Sequence, residues 1–167
     1  MRGFTLMELM VVISIIAIIS VFAALNATSF IRDSRVTESR DLLLSDLEEI
    51  KLKSLAGAPH AVIVVGGSGT SYLVSRLTDS NNDFARNAGE TWTTLRTQTL
   101  PLNVKAALNG GDELWFDRKG IPRTAAWATM GRTFTLWFDA NGNNTADAGE
   151  PVRKITLSAG GRIQYEK

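Results

Sequence analysis

Glu8 is the first residue whose chemistry needs explaining. It lies inside an apolar stretch. Leu9 to Leu25, LMVVISIIAIISVFAAL, carries no charge, and extended back to Phe4 the stretch reaches 22 residues. At ~1.5 Å per helical residue that is long enough to cross a bilayer core. A carboxylate at such depth costs about 3 kcal/mol or more unless it is paired. Two roles fit it. It can mark the start of a helix, near the headgroups and the positive end of the helix dipole. It can also wait for a cation brought by another chain, and a free α-amino group at the start of a neighbouring helix would serve.

A second set of oxygens could hold a hard cation. Asp139, Asn141, Asn143, Thr145, Asp147 and Glu150 occupy positions 1, 3, 5, 7, 9 and 12 of a twelve-residue loop, the spacing with which an EF-hand-like loop wraps calcium. Asn144 stands at the sharp-turn position usual for Gly, and Asn tolerates that backbone. Asp79, Asn81, Asp83, Asn87 and Glu90 repeat the spacing less well, with Phe84 at the turn and Arg86 adding positive charge. Neither loop is clearly flanked by helices. Asn, Asp and Gly are also what ordinary hairpin loops contain.

A third set is basic. Arg153, Lys154, Arg162 and Lys167 lie near the end of the chain, after Arg118, Lys119, Arg123 and Arg132. Clusters of this kind contact phosphates. Glu166 dilutes the charge, and a solvated strand edge is the plainer reading. The formal net charge of +1 favours neither a nucleic-acid binder nor an acidic scaffold.

Other chemistry is poorly provided for. There is no cysteine and one histidine, His60, so neither disulfides nor a histidine relay or metal site is expected. His60 reads as a surface or strand-edge residue. Gly66, Gly67 and Gly69 precede no Lys-Ser/Thr pair and no helix pattern, so they read as a hairpin turn rather than a phosphate cradle. No enzyme is expected, and no cofactor is required beyond the calcium that the acidic loop could take.

The elements that must position these groups follow from patterning. A chain of 167 residues holds one modest domain plus an anchor. From Asn26 to Ala56 it turns amphipathic: Val36, Leu43, Leu47 and Ile50 recur near helical spacing, with Leu44 and Leu55 flanking them. Gly57, as a left-handed cap, and Pro59, as a stop, end the helix. Strands are expected at Ala61–Val65, Thr70–Leu77, Trp92–Gln98, Val104–Leu108, Glu113–Phe116, Thr133–Phe138, Val152–Leu157 and Ile163–Tyr165, with breaks at Pro101 and Pro122. Trp115, Phe116, Phe134, Trp137 and Phe138 are expected in the core. The fold class is α+β: a long N-terminal hydrophobic helix packed on an antiparallel β-sheet head.

Gly3-Phe4-Thr5-Leu6-Met7-Glu8, followed at once by the apolar run, resembles the class III signal of type IV pilins and type II secretion pseudopilins. The resemblance implies a cut between Gly3 and Phe4 by a prepilin peptidase and methylation of the new Phe4 amine. It implies that Glu8 pairs with that amine on an adjacent subunit during assembly. The chain then divides into a leader (1–3), a transmembrane and filament-core helix (4–25), the amphipathic half of the same helix (26–56) and a β-rich periplasmic head (57–167). The head is similar to the GspH/FimT branch. Leu100-Pro101-Leu102-Asn103-Val104 resembles that branch's Leu-Pro-x-Gly-Val, Leu114–Gly120 its phenylalanine-then-glycine turn, and Ser158–Ile163 its Gly-Arg-Val strand. The resemblance implies a single-pass inner-membrane protein that moves into a pseudopilus or pilus. Its implied partners are other pilins or pseudopilins and an inner-membrane assembly platform. Some FimT-type pilins bind DNA through a C-terminal basic stretch whose second Arg is replaced here by Gln164, so nucleic acid is not an expected partner.

Overall fold

The structure, a computed structural model, describes residues 5–66, 69–83, 86–87, 89–124 and 129–166, and of residues 22–26 only the backbone. Helix α1 spans Leu6–Ala56. The chain forms two compact units, one ending at Ser34 and one beginning at Arg35.

The first unit is helical, and from Leu9 to Val21 its side chains are apolar on every face apart from Ser14 and Ser20, whose hydroxyls donate to the Met10 and Ile16 carbonyls. Ile13, Ile16 and Ile19 are 55%, 58% and 61% exposed. A helix that is apolar all round belongs inside something else, either a bilayer or an assembly. Among the described residues, no helix is long and apolar enough to cross a membrane. The expected span over residues 4–25 includes Phe4 and the side chains of Phe22 to Leu25, which lie outside that description.

The second unit carries the core. Val36, Leu43, Leu47 and Ile50 are fully buried, as their helical spacing requires. Each contributes roughly 2 kcal/mol of transfer free energy. They pack in one cluster with residues from two antiparallel sheets. The strands are β1 (His60–Val64), β2 (Ser71–Leu77), β3 (Trp92–Thr99), β4 (Val104–Leu108), β5 (Glu113–Phe116), β6 (Pro122–Arg123), β7 (Arg132–Phe138), β8 (Val152–Leu157) and β9 (Ile163–Tyr165). One sheet has the order β3-β2-β1-β5-β6 and the other β4-β7-β8-β9. The head is therefore two sheets, where patterning had suggested one. The five expected aromatic residues are buried, Trp115, Phe116 and Phe134 completely.

Two glycines bring segments of the head together. Gly69 lies in the β1–β2 turn at φ +56°, and Ala106 of β4 donates its amide to the Gly69 carbonyl at 2.9 Å. Gly161 lies in the β8–β9 turn at φ +83°, and a Cβ there would stand 2.1 Å from the carbonyl oxygen of Gly120 in the β5–β6 turn. Lys51 of α1 donates to the Gly161 carbonyl at 2.7 Å. Helix and both sheets thus meet at one point.

Two local expectations are corrected. Gly57 is not left-handed; Ser54 Oγ near the helix end instead accepts the His60 amide at 3.0 Å. His60 is not at the surface, being 7% exposed. It opens β1, which lies between β2 and β5, so its flanks are occupied.

Candidate functional site

Three places carry the residues singled out above. At the N-terminus, Gly3 and Phe4 lie outside the described residues. Glu8 is in the first turn of α1, and Thr5 precedes the helix. The Thr5 amide and hydroxyl both donate to Glu8 Oε2, at 3.1 and 3.2 Å. The Glu8 amide donates back to Thr5 Oγ1 at 3.2 Å. This is a capping box, in which the first-turn carboxylate satisfies the amide ahead of the helix and the cap hydroxyl satisfies an amide inside it. The Thr-x-x-Glu spacing carries that signal in the sequence, where Glu8 alone drew attention.

In the 139–150 loop, backbone amides converge on side-chain oxygens. Asp139 accepts from Gly142 and Asn143 at Oδ1 and from Asn144 at Oδ2, at 2.8, 3.1 and 3.1 Å. Glu150 accepts from Ala140 and Asp147, one amide at each oxygen. Hydrogen bonds from Asn141 and Asn143 hold the Asp147 carboxyl below the usual carboxylate range, and Thr145 adds to them. Asn144 takes φ +60° at the turn position. The described carboxylates that converge as a group of three are those of Asp79, Asp83 and Glu90 in the other loop.

The basic residues are dispersed. Arg153 and Lys154 are successive residues of β8, so their side chains leave opposite faces of the sheet. Arg153 donates to the Val152 carbonyl at 3.0 Å. Arg162 is exposed in the β8–β9 turn, beside an apolar groove that Leu52, Leu55 and Ile163 help to line.

Sequence reasoning missed the polar tie between helix and sheet. Asp46 is buried on α1, where Tyr72 Oη donates to it at 2.8 Å. Arg96 of β3 reaches over to Asp46 and also to Glu49, the latter at 3.1 Å. Burial raises the Asp46 pKa, against the hydrogen bond from Tyr72 and the charge of Arg96. Nothing local in the sequence links positions so far apart. A second tie holds the C-terminus: Arg40 lies over the Tyr165 ring at 5.1 Å and donates to the Glu166 carbonyl at 3.4 Å.

His60 gives the head a pH dependence. Burial lowers its pKa from the ordinary 6.5, with Lys53 and Arg76 adding to the effect and the Ala58 carbonyl and Glu49 opposing it. A base whose pKa is depressed on folding favours the folded chain in its neutral form. That contribution is complete above pH 6.5 and is lost as pH falls through 6.5 and below. The head is expected to melt lower at about pH 5 than at about pH 7, and His60→Gln to flatten this part of the profile. Asp46 acts in the opposite sense, because its raised pKa favours the folded state at low pH. An unchanged slope in the variant would exclude His60 as the cause.

A long N-terminal helix beside antiparallel sheets is the pilin-like fold. Residues 1–24 match the family model described as the prokaryotic N-terminal methylation motif. Among solved structures, the chain is similar to the type IV minor pilin FimU of Pseudomonas aeruginosa strain PAO1. One crystal form matches at 17% identity over 80% of this chain and 91% of that one, with a TM-score of 0.53. A second crystal form matches at 18% identity over 77% and 91%, with a TM-score of 0.45. No curated protein matches the chain significantly by sequence.

Proposed function

We propose that the chain is a minor pseudopilin of a type II secretion system. It is a structural subunit, cut by a prepilin peptidase, held in the inner membrane with its head in the periplasm, and built into a short filament that supports protein export. The observation that carries this reading is Glu8, placed on an apolar helix directly after the Gly3-Phe4 junction and ahead of a pilin-like head. The chain's role is mechanical; its partners are other pilin-like subunits and the assembly platform. A second reading, a minor type IV pilin acting in pilus assembly or DNA uptake, is favoured by the likeness to FimU. Deleting the chain and comparing secreted proteins separates them. Specific exoproteins trapped in the periplasm are expected, and an unchanged profile would hand the lead to the pilus reading.

Two further results are expected. Gly3→Ala leaves uncut precursor in the membrane, seen as a single slower band on a gel; normal processing of that variant would remove the signal from the argument. Calcium at Asp139–Glu150 is the other. An oxygen bound to one amide still has a lone pair to offer, and this is the state of Asp139 Oδ2 and of both Glu150 oxygens. Millimolar calcium is expected to raise the melting temperature of the chain and a chelator to reverse the rise. A melt unmoved by calcium would leave the loop a self-closed turn. Nucleic acid is not a proposed partner, since Arg153, Lys154 and Arg162 form no common face.

A further inference from the structure

The head leaves part of its own helix uncovered. Leu52 and Leu55 are 66% and 45% exposed, on the helix whose other side carries the core. With Ile163 of β9 they line a groove, and Glu48, Lys51 and Arg162 stand around it. The groove is held open by its own walls. Lys51 is tied to the Gly161 carbonyl at 2.7 Å. The β5–β6 turn backs it, since a Cβ at Gly120 would stand 3.2 Å from Lys51 Cε and 3.4 Å from Leu55 Cδ2. Two cations against one anion make the rim net positive, and among the described residues no carboxylate pairs with Arg162. Aliphatic side chains gathered in one place and rimmed by charge mark an interaction surface, as singly scattered leucines do not.

A knob of matching chemistry lies on the same chain. Phe30 of α1 is 74% exposed. Asp33 and the exposed Ser34 follow it by three and four positions, so they share its side of the helix. An aromatic ring beside a carboxylate suits an apolar groove with a positive rim.

We propose that the groove between α1 and the β8–β9 hairpin receives Phe30 of a second copy of this chain, with that copy's Asp33 turned toward Arg162. The proposal rests on the filament reading above and names the surfaces that the filament joins. Knob and groove are different surfaces, so the contact is heterologous. Each copy added leaves one groove and one knob unfilled, and such a contact propagates along an open helical array. The groove needs little ordering before it binds, and a ring with two torsions loses little freedom on entering it. Opposite charges at the rim fix which way the knob enters. Two other arrangements are distinguished by the test: Phe30 seated among lipid headgroups, where aromatic residues are enriched, and a groove filled by a different subunit.

The chain has no cysteine, so introduced thiols report contacts without background. Ser34→Cys is close to isosteric and leaves Phe30 in place, and Leu52→Cys puts a thiol in the groove. Full-length chains are expressed in their host, sheared filaments are treated with a short thiol-to-thiol cross-linker, and the products are sized on a gel. The chain carrying both substitutions is expected to give a ladder of dimers, trimers and longer products. Neither single variant cross-links, because a heterologous contact never brings like positions together. Leu52→Cys combined with Leu95→Cys, an exposed position on β3, gives no ladder. Adding Phe30→Ala to the first pair lowers the cross-linked fraction roughly thirtyfold, the scale of truncating an interface anchor, while the amount of chain in the membrane stays the same. Cross-linked dimers from Ser34→Cys alone would mean that like surfaces meet, and would overturn the proposal. Parent chain present in filaments with the double variant incorporated but unlinked would overturn it too, leaving the groove to a different subunit and the filament reading intact. Phe30→Ala lost from the membrane with its cross-linked fraction unchanged would assign Phe30 to the lipid headgroups instead. Absence of the parent chain from sheared filaments would remove the filament reading and this proposal with it.

Discussion

Glu8→Val enters the membrane and is cut, yet is left out of the filament. The substitution removes a carboxylate from an apolar helix, so insertion becomes easier. What it removes from assembly is larger. If a neighbouring chain's amine meets Glu8 in an apolar filament core, the variant leaves that amine buried without a counter-charge, which costs about 3–5 kcal/mol. Incorporation should therefore fall by about a hundredfold or more, since each 1.4 kcal/mol is about tenfold. The measurement is the ratio of variant to parent in sheared filaments, with the membrane fraction as the control for insertion. Equal incorporation would show that Glu8 only caps its own helix. The capping box does not favour that outcome, because it leaves one carboxylate oxygen outside it.

Gly161→Ala unseats the head. The new methyl would stand 2.1 Å from the Gly120 carbonyl oxygen, a backbone atom that can yield only if the β5–β6 turn moves. The same position holds φ at +83°, which already costs an L-residue about 1 kcal/mol. Moving the turn would also disturb the hydrogen bond from Lys51 to the Gly161 carbonyl. A loss of about 3 kcal/mol or more is expected, read as a fall of roughly 10 °C or more in melting temperature. Gly66→Ala is the matched control. Gly66 also has a positive φ, +62°, but a Cβ there meets nothing within 4 Å. Its cost should stay near about 1 kcal/mol. Equal losses in the two variants would mean that backbone strain dominates and the contact with Gly120 is unimportant.

Much of the fold was legible because its signals are local. The buried stripe Val36, Leu43, Leu47, Ile50 follows from a 3.6-residue period. All eight expected strands match the observed ones to within a residue at either end. The strand that was missed, β6, begins at Pro122, where proline reads as a break. Asn103 is instructive: its φ of +65° shows why Asn can stand where the similar family has Gly, since both tolerate that backbone. His60 was misread because one histidine after a helix stop carries no hint of the strands that close around it.

By itself the sequence determined the N-terminal signal, the apolar helix and the alternation of the strands, since each depends on neighbours within a few positions. The Thr5–Glu8 box belongs with these, as its partners are three residues apart. Tertiary structure alone decided that the head is two sheets, that Arg96 reaches Asp46 and Glu49, and that Gly161 lies against Gly120. Those contacts join residues from about 40 to about 50 positions apart, and which long-range pairs form depends on packing the whole chain rather than on any local preference.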